Sequence, residues 1–387
     1  MPFSRRTSQA HVTNALARAA AIAREKTSFL DLTVSNPTTA GLAYDEAAIQ
    51  AALSHPRGLA YAPEPLGLGS ARAIVAREHG ASLAIDPARV AITASTSEAY
   101  AALFKVLADP DDEILVPVPS YPLLQWLADF ENVRLVPYPL VYAGRWHVDV
   151  DALRRAVTPK TRAIVVVSPN NPTGSYLGQG ELDAMLDLGL PVVSDEVFAR
   201  YPLKGIPAGR VETVLGASRG LVFSLSGLSK LAALPQMKLG WIIAGGDDTL
   251  AARALERLEL VLDAYLSVAT PVQHALGALL ESGKRVRNAI SHRTRHNLVV
   301  LIDALKAAPA ASVLEVEGGW YAVVRVAETM TDEEWALRLV QEDAVHVHPG
   351  FFFDMTRGAH LVVSLLTPEQ ALAEGAARIA RRLGEKT

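Results

Sequence analysis

The chain of 387 residues contains no cysteine. That excludes disulfides, thiolate nucleophiles, iron–sulfur clusters and cysteine-held zinc, and it fits a reducing compartment. No stretch reaches the ~20 uninterrupted apolar residues that a membrane-spanning helix needs. Arg5 and Arg6 open the chain as a secretory signal would, but His11, Thr13, Asn14 and Arg18 break the apolar run that should follow. A cytoplasmic protein with no membrane partner is expected. Basic charge is not in excess either: 37 Lys and Arg stand against 41 Asp and Glu, a formal net charge of -4. Nucleic acid is therefore not an expected partner. Internal repeats and low-complexity linkers are also missing.

Half of the residues are hydrophobic and a fifth are charged, which suits an ordinary globular protein of more than one domain. Periodicity predicts helices over 9–25, 45–53 and 70–80, and strands over 29–34 and 90–93. A helix with Ser/Thr capping chemistry starts at Ser95. From there strands at 113–118, 133–138, 161–167, 191–194 and 221–225 alternate with helices at 121–130, 149–156 and 179–186. Such alternation predicts an α/β fold with a mostly parallel central sheet covered on both faces. A strand over 241–244 and a helical tract over 247–305 come next. The last region reads as a smaller α+β unit, with strands near 312–316, 321–326, 345–347 and 361–365 and helices near 332–342 and 368–383. Ligands in parallel sheets gather at the carboxyl ends of strands. The strand tips here carry Ser95 to Ser97, Asn170 and Asn171, Asp195, and Ser229 with Lys230.

Lys230 follows the apolar run Leu221 to Leu225 and a small turn of Ser226, Gly227 and Ser229. Desolvation there lowers an amine's pKa and makes a nucleophile; a solvated loop lysine is the alternative. Lys238 is a second cation close behind, and the pair suits a carbonyl cofactor that carries a phosphate. Thr96 and Ser97 open a helix and would suit that phosphate, although plain N-capping gives the same pattern. Asn171 lies in a turn and has an amide to offer a cofactor oxygen. Asp195 needs a partner, either a pyridinium N–H or an arginine. Tyr121 and Tyr61 are aromatic candidates, for ring stacking or for simple packing.

Taken in order and spacing, these segments resemble the class I/II aminotransferase family, pyridoxal-phosphate-dependent enzymes of fold type I. The resemblance runs over essentially the whole chain. It includes Tyr61 with Gly67 and Arg72, Thr93 to Ala99, Pro119-Ser-Tyr121, Pro169-Asn-Asn-Pro-Thr-Gly174, Ser194-Asp-Glu-Val-Phe198, and Ser229-Lys230 followed by Gly240-Trp241. It implies a large cofactor-binding domain over 45–285 and a small domain from 1–44 and 286–387. Lys230 would hold pyridoxal 5'-phosphate as a Schiff base and shuttle the substrate proton. Asp195 would pair with the pyridine nitrogen, Asn171 with the ring oxygen, and Tyr121 would stack on the ring. Thr96, Ser97 and Lys238 would bind the phosphate. Tyr61 would reach the neighbouring subunit's cofactor, which implies a homodimer with shared active sites. No metal is implied.

Four positions depart from that family's pattern. Lys238 replaces an arginine, keeping the charge but losing the fork geometry. Phe198 replaces a tyrosine and loses one hydrogen bond to the ring oxygen. Gly227 replaces a serine, for which Ser226 is a candidate substitute. Val362 stands where the family's arginine binds the substrate carboxylate; Asn36, Arg357 and His360 are the expected replacements. The activity implied is transfer of an amino group from an amino acid donor to a 2-oxo acid. The alternatives are a lyase of the same fold, eliminating at the β-carbon as in carbon–sulfur cleavage, and an aminotransferase-like sensor domain, which the acidic charge disfavours.

Overall fold

The computed structural model describes residues 4–7, 14–25, 28–61, 63–79 and 83–385. The chain begins with α1 (Ala15–Ala23), β1 (Leu30–Asp31), α2 (Glu46–Leu53) and α3 (Gly69–His79). Residues 9–13 of the expected first helix and residue 80 of the third lie outside the described residues. Helix α1 starts where Asn14 accepts a hydrogen bond from the Ala17 N–H, an ordinary N-cap. The alternating region follows: β2 (Val90–Thr93), α4 (Thr96–Leu107), β3 (Glu113–Val118), α5 (Leu123–Glu131), β4 (Arg134–Tyr142), β5 (Trp146–Val148), α6 (Val150–Ala156), β6 (Thr161–Val167), α7 (Gln179–Leu186), β7 (Val192–Asp195), β8 (Leu221–Gly227), α8 (Leu228–Leu231) and β9 (Gly240–Gly246).

These strands form one eight-stranded sheet in the spatial order β2-β9-β8-β7-β6-β3-β4-β5. Neighbours from β8 through β4 run parallel, β9 runs against both of its neighbours, and β5 returns as a hairpin on the edge. The apolar runs of β6, β7 and β8 are explained by cover on both faces. Leu103, Phe104, Leu255 and Leu258 pack on one side, and Leu153, Leu182 and Met185 on the other. Each such side chain contributes about 1.5–3 kcal/mol of burial.

Beyond the sheet come α9 (Asp248–Tyr265), α10 (Thr270–Leu305), β10 (Ser312–Val313), β11 (Tyr321–Val326), α11 (Asp332–Asp343), β12 (Val345–His346), β13 (His348–Pro349), β14 (Ala359–Ser364) and α12 (Glu369–Gly384). The expected single tract over 247–305 is two helices, because Leu266 turns left-handed (φ 44) and ends the first. A smaller antiparallel sheet has the order β10-β11-β14-β13, and β1 pairs with β12 in parallel. Its core gathers Trp335, Leu361, Val363 and Ile379. The 36 residues of α10 span about 54 Å at 1.5 Å per residue. Leu276, Leu279 and Leu280 pack beside the large sheet, and Leu298, Leu301 and Leu305 in the smaller core. The boundary expected at 285/286 falls inside this unbroken helix.

Candidate active site

The carboxyl ends of β3, β6, β7 and β8 and the N-terminus of α4 surround a cavity of about 540 Å³. Lys230, Asp195, Asn171, Tyr121, Thr96, Ser97 and Lys238 all line it. Helix α5 was expected from Tyr121, but it starts at Leu123 behind Pro122, which leaves Tyr121 in the loop on the cavity wall, half exposed.

Lys230 sits in α8, directly after β8. Its backbone is fixed from two sides: Tyr201 Oη donates to the Lys230 carbonyl at 2.6 Å, and Arg287 donates to the Leu231 carbonyl at 3.3 Å. Its Nζ lies 4.8 Å from the Trp320 ring centre and 5.6 Å from that of Phe198. Burial pushes the amine down to about 8, while the charge of Asp195 acts the other way. Lys230 is thus no solvated loop lysine.

Asp195 ends β7. Tyr100 Oη donates to its Oδ2 at 3.3 Å and the Val197 N–H to its Oδ1 at 3.2 Å. Burial pushes its carboxyl up to about 6, against those two bonds and the nearby Lys230. Among the described residues no arginine pairs with it. An acid so placed gains from a cationic N–H brought in by a ligand.

At the α4 end, Ser95 caps the helix by accepting from the Glu98 N–H at 3.1 Å. The N–H groups of Thr96 and Ser97 have no intrahelical acceptor, and the positive end of the helix dipole is theirs. Gly240, which opens β9, lies against Ser95: a Cβ built on it would be 3.2 Å from the Ser95 carbonyl carbon. Lys238, in a left-handed turn (φ 49), brings a cation to this wall with no ion-pair partner among the described residues. Deeper in, Asn171 Oδ1 and Ser120 Oγ are buried without hydrogen-bond partners. Unsatisfied atoms on a cavity wall mark a place built for a polar ligand. An amine, a buried acid, a free amide and an anion-binding helix end together fit pyridoxal phosphate.

Tyr61 stands apart. It is 82% exposed and borders a separate hollow with Gly67 and Gln273.

The departures have physical reasons. A Cβ on Gly227 would lie 2.9 Å from both the Gly240 Cα and the Leu239 carbonyl oxygen, so β8 and β9 pack too closely there for a serine. Ser226 does not substitute for it: its side chain borders a different hollow with His79 and Glu196. Phe198 is buried against Trp320, ring centres 5.2 Å apart. Val362 is fully buried among Trp146, Val323, Phe353 and Met355.

None of the three expected replacements for the carboxylate anchor lines the cavity. Asn36 is exposed and accepts from the Thr38 N–H at 3.0 Å, capping a short turn. Arg357 is exposed in the loop before β14. His360 is packed against Gly350 and Gly358, away from the cavity. Ser35, Tyr321 and His348 line this end instead. Sequence reasoning missed all three. For His348 a signal existed: it sits just before the Pro349-Gly350-Phe351 segment, in a two-residue strand.

Among the described residues no cluster of His, Asp or Glu could hold a metal ion, and no helix is long and apolar enough to cross a membrane. The sequence pattern of the family described as "Aminotransferase class I and II" matches residues 27–379. Tyrosine aminotransferase of Homo sapiens is 27% identical over 366 residues, 90% of this chain and 80% of that protein. S-alkyl-thiohydroximate lyase SUR1 of Arabidopsis thaliana is 27% identical over 279 residues, 69% of this chain and 60% of the lyase. The structure of alanine aminotransferase from Pyrococcus furiosus superimposes with a TM-score of 0.86 at 25% identity, covering 99% of this chain and 100% of that one.

Proposed function

The chain belongs to the class I and II aminotransferase family and is an aminotransferase; on that premise we propose that it moves an amino group from an amino donor to a 2-oxo acid with Lys230 as its nucleophile. The observation that carries this reading is that Lys230 and Asp195 line one cavity. Burial draws the amine down to about 8 and the acid up to about 6, towards each other, as suits proton transfer.

The family uses pyridoxal 5'-phosphate, which when bound supplies an electron sink for charge developing on the substrate α-carbon. Lys230 would hold it through Nζ and would carry the substrate α-proton. Asp195 would favour a proton on the ring nitrogen. Asn171 would donate to the ring oxygen without the help of a tyrosine, since Phe198 has no hydroxyl. Thr96, Ser97 and Lys238 would hold the phosphate, and Tyr121 would cover the ring. The division into 45–285 and 1–44 with 286–387 belongs to the same reading. So does a homodimer in which Tyr61 reaches the second site. Its support is the apolar surface of Leu59, Tyr61 and Tyr265, which are 94%, 82% and 58% exposed.

The test is an absorbance spectrum of the purified protein with added cofactor, beside Lys230→Ala. A long-wavelength band that shifts on adding a donor and is lost or locked in the variant supports the reading. No band in the wild type overturns it. Elimination at the β-carbon is the second reading, favoured by the similarity to the Arabidopsis lyase. Release of a 2-oxo acid and ammonia without an acceptor would select it; conversion of the cofactor to its amine form by a single donor would select transfer.

A further inference from the structure

The cavity has a second end, and the charges on its wall are unevenly shared. Among the described residues no arginine lines it. Two lysines among the described residues line it, and the proposed function commits both of them, Lys230 to the cofactor carbonyl and Lys238 to the phosphate. What remains at the other end is neutral: Ser35, Ser120, Tyr321 and the imidazole of His348.

His348 occupies a telling position. It is the register partner of Val362 across the β13–β14 ladder. Side chains directly opposite in an antiparallel pair share a face and lie about 5 Å apart. His348 therefore stands beside the position whose side chain is the buried valine. Its ring is held by Phe353 and Phe352, with centres at 5.9 and 5.8 Å, and by His346 at 6.0 Å. Its Nδ1 is buried with no hydrogen-bond partner.

We propose that the substrate is held here through an uncharged hydrogen-bonding group on the carbon that bears the amine, an amide, ester or hydroxymethyl in place of a carboxylate, and that His348 is the residue that reads it. The proposal rests on the aminotransferase reading of the cavity. A carboxylate at this end would lose its water without gaining a cation, which is costly; the uncharged group therefore belongs to the amino donor, and the 2-oxo acid acceptor, which bears that cost, is expected to bind the more weakly of the two. Protonating His348 does not repair this, because burial and the neighbouring His346 hold its imidazole down to about 4, against the pull of Asp31. An amide or hydroxyl asks only for neutral donors and acceptors, and the imidazole, the Tyr321 phenol and the Ser35 hydroxyl are of that kind. Leu123, Leu124 and Phe353 add an apolar wall, which suits a branched aliphatic side chain.

The experiment compares L-leucine, L-leucinamide and L-leucinol by calorimetric titration of cofactor-loaded Lys230→Ala, which binds without turning over. The amide and the amino alcohol are expected to bind at least tenfold more tightly than the acid. Adding His348→Phe should erase that difference, and His348→Gln should restore part of it. Tyr321→Phe provides a second arm if the phenylalanine variant fails to fold, with an expected loss of several-fold in the same preference. Leucine binding as tightly as leucinamide, or a preference unchanged in both variants, overturns the proposal. A wild-type chain that forms no Lys230-dependent absorbance band overturns the parent reading; a chain that forms the band and still prefers the acid overturns this one alone.

Discussion

The end of the cavity at α4 is made of a helix terminus, a lysine and backbone brought close by Gly227 and Gly240, whereas the end at β13 is made of a histidine, a phenol and hydroxyls, with the buried Val362 beside the histidine. The first end is charged and suits an anion of fixed chemistry. The second is neutral, and there this chain departs furthest from the pattern its sequence resembles. The contrast shows that one part of a cavity can keep its charge even with Lys238 and Gly227 in place of an arginine and a serine, while the other part loses it.

The contrast breaks most sharply at Lys230, which on the proposed reading serves both ends. Lys230→Ala should lower amino transfer by about 10⁴-fold, as expected for a group that is both nucleophile and proton carrier; single-turnover kinetics would measure it. Val362→Arg tests the neutral end. If the arginine simply restored an anchor, binding of L-leucine would rise. The fully buried site predicts instead a loss of about 3–5 kcal/mol of stability from an unpaired charge, read as a lower denaturation midpoint. Gly227→Ser tests the packing at the charged end, with an expected cost of about 1–3 kcal/mol from overpacking between β8 and β9.

Two smaller effects sharpen the picture. Capture of added cofactor by the apoprotein, followed by borohydride quenching of timed samples, begins with attack of the free Lys230 amine. Its initial rate should fall about tenfold per pH unit below about 8 and level off above. Asp195 raises the pKa of that amine, so Asp195→Asn should move the midpoint to lower pH. A midpoint that moved up would contradict the pairing. Lys238→Arg should tighten cofactor binding several-fold if the fork can reach the phosphate, and Lys238→Ala should weaken it about tenfold. Both are dissociation constants measured on apoprotein.

Much of this was legible in the chain. The strands at Val90–Thr93, Glu113–Val118 and Thr161–Val167 and the helix at Gln179–Leu186 were readable to the residue. Each is a short apolar or amphipathic run between strong turn signals. The charged end of the cavity was legible for the same reason: strand tips carry their polar residues within a few positions of the strand. The edge strand Trp146–Val148 was not, since it is short and paired on one side only. Strand β1 shrank from the expected 29–34 to two residues because its only pairing is with the two residues of β12. The neutral end was hidden for a different reason. Ser35, Tyr321 and His348 come from three segments far apart in sequence, and only the register of β13 against β14 sets His348 beside Val362. Asn36, Arg357 and His360 were reasonable candidates by chemistry, yet neighbours in sequence to a cavity need not face it.

Helix α10 settles a question of mechanical tolerance. At Gly283 a Cβ would come within 2.6 Å of the Ala232 Cα, so this helix presses directly on the segment that carries Lys230. Four residues on, Arg287 grips the carbonyl of Leu231. Farther along the same rod, Asn297 donates to the carbonyls of Leu365 and Thr367, just beyond β14. Lys230 and the end of β14, whose neighbour β13 carries His348, are therefore both gauged from one helix. An error in placing one end of the cavity is carried to the other, so the two ends can differ in chemistry while remaining in alignment.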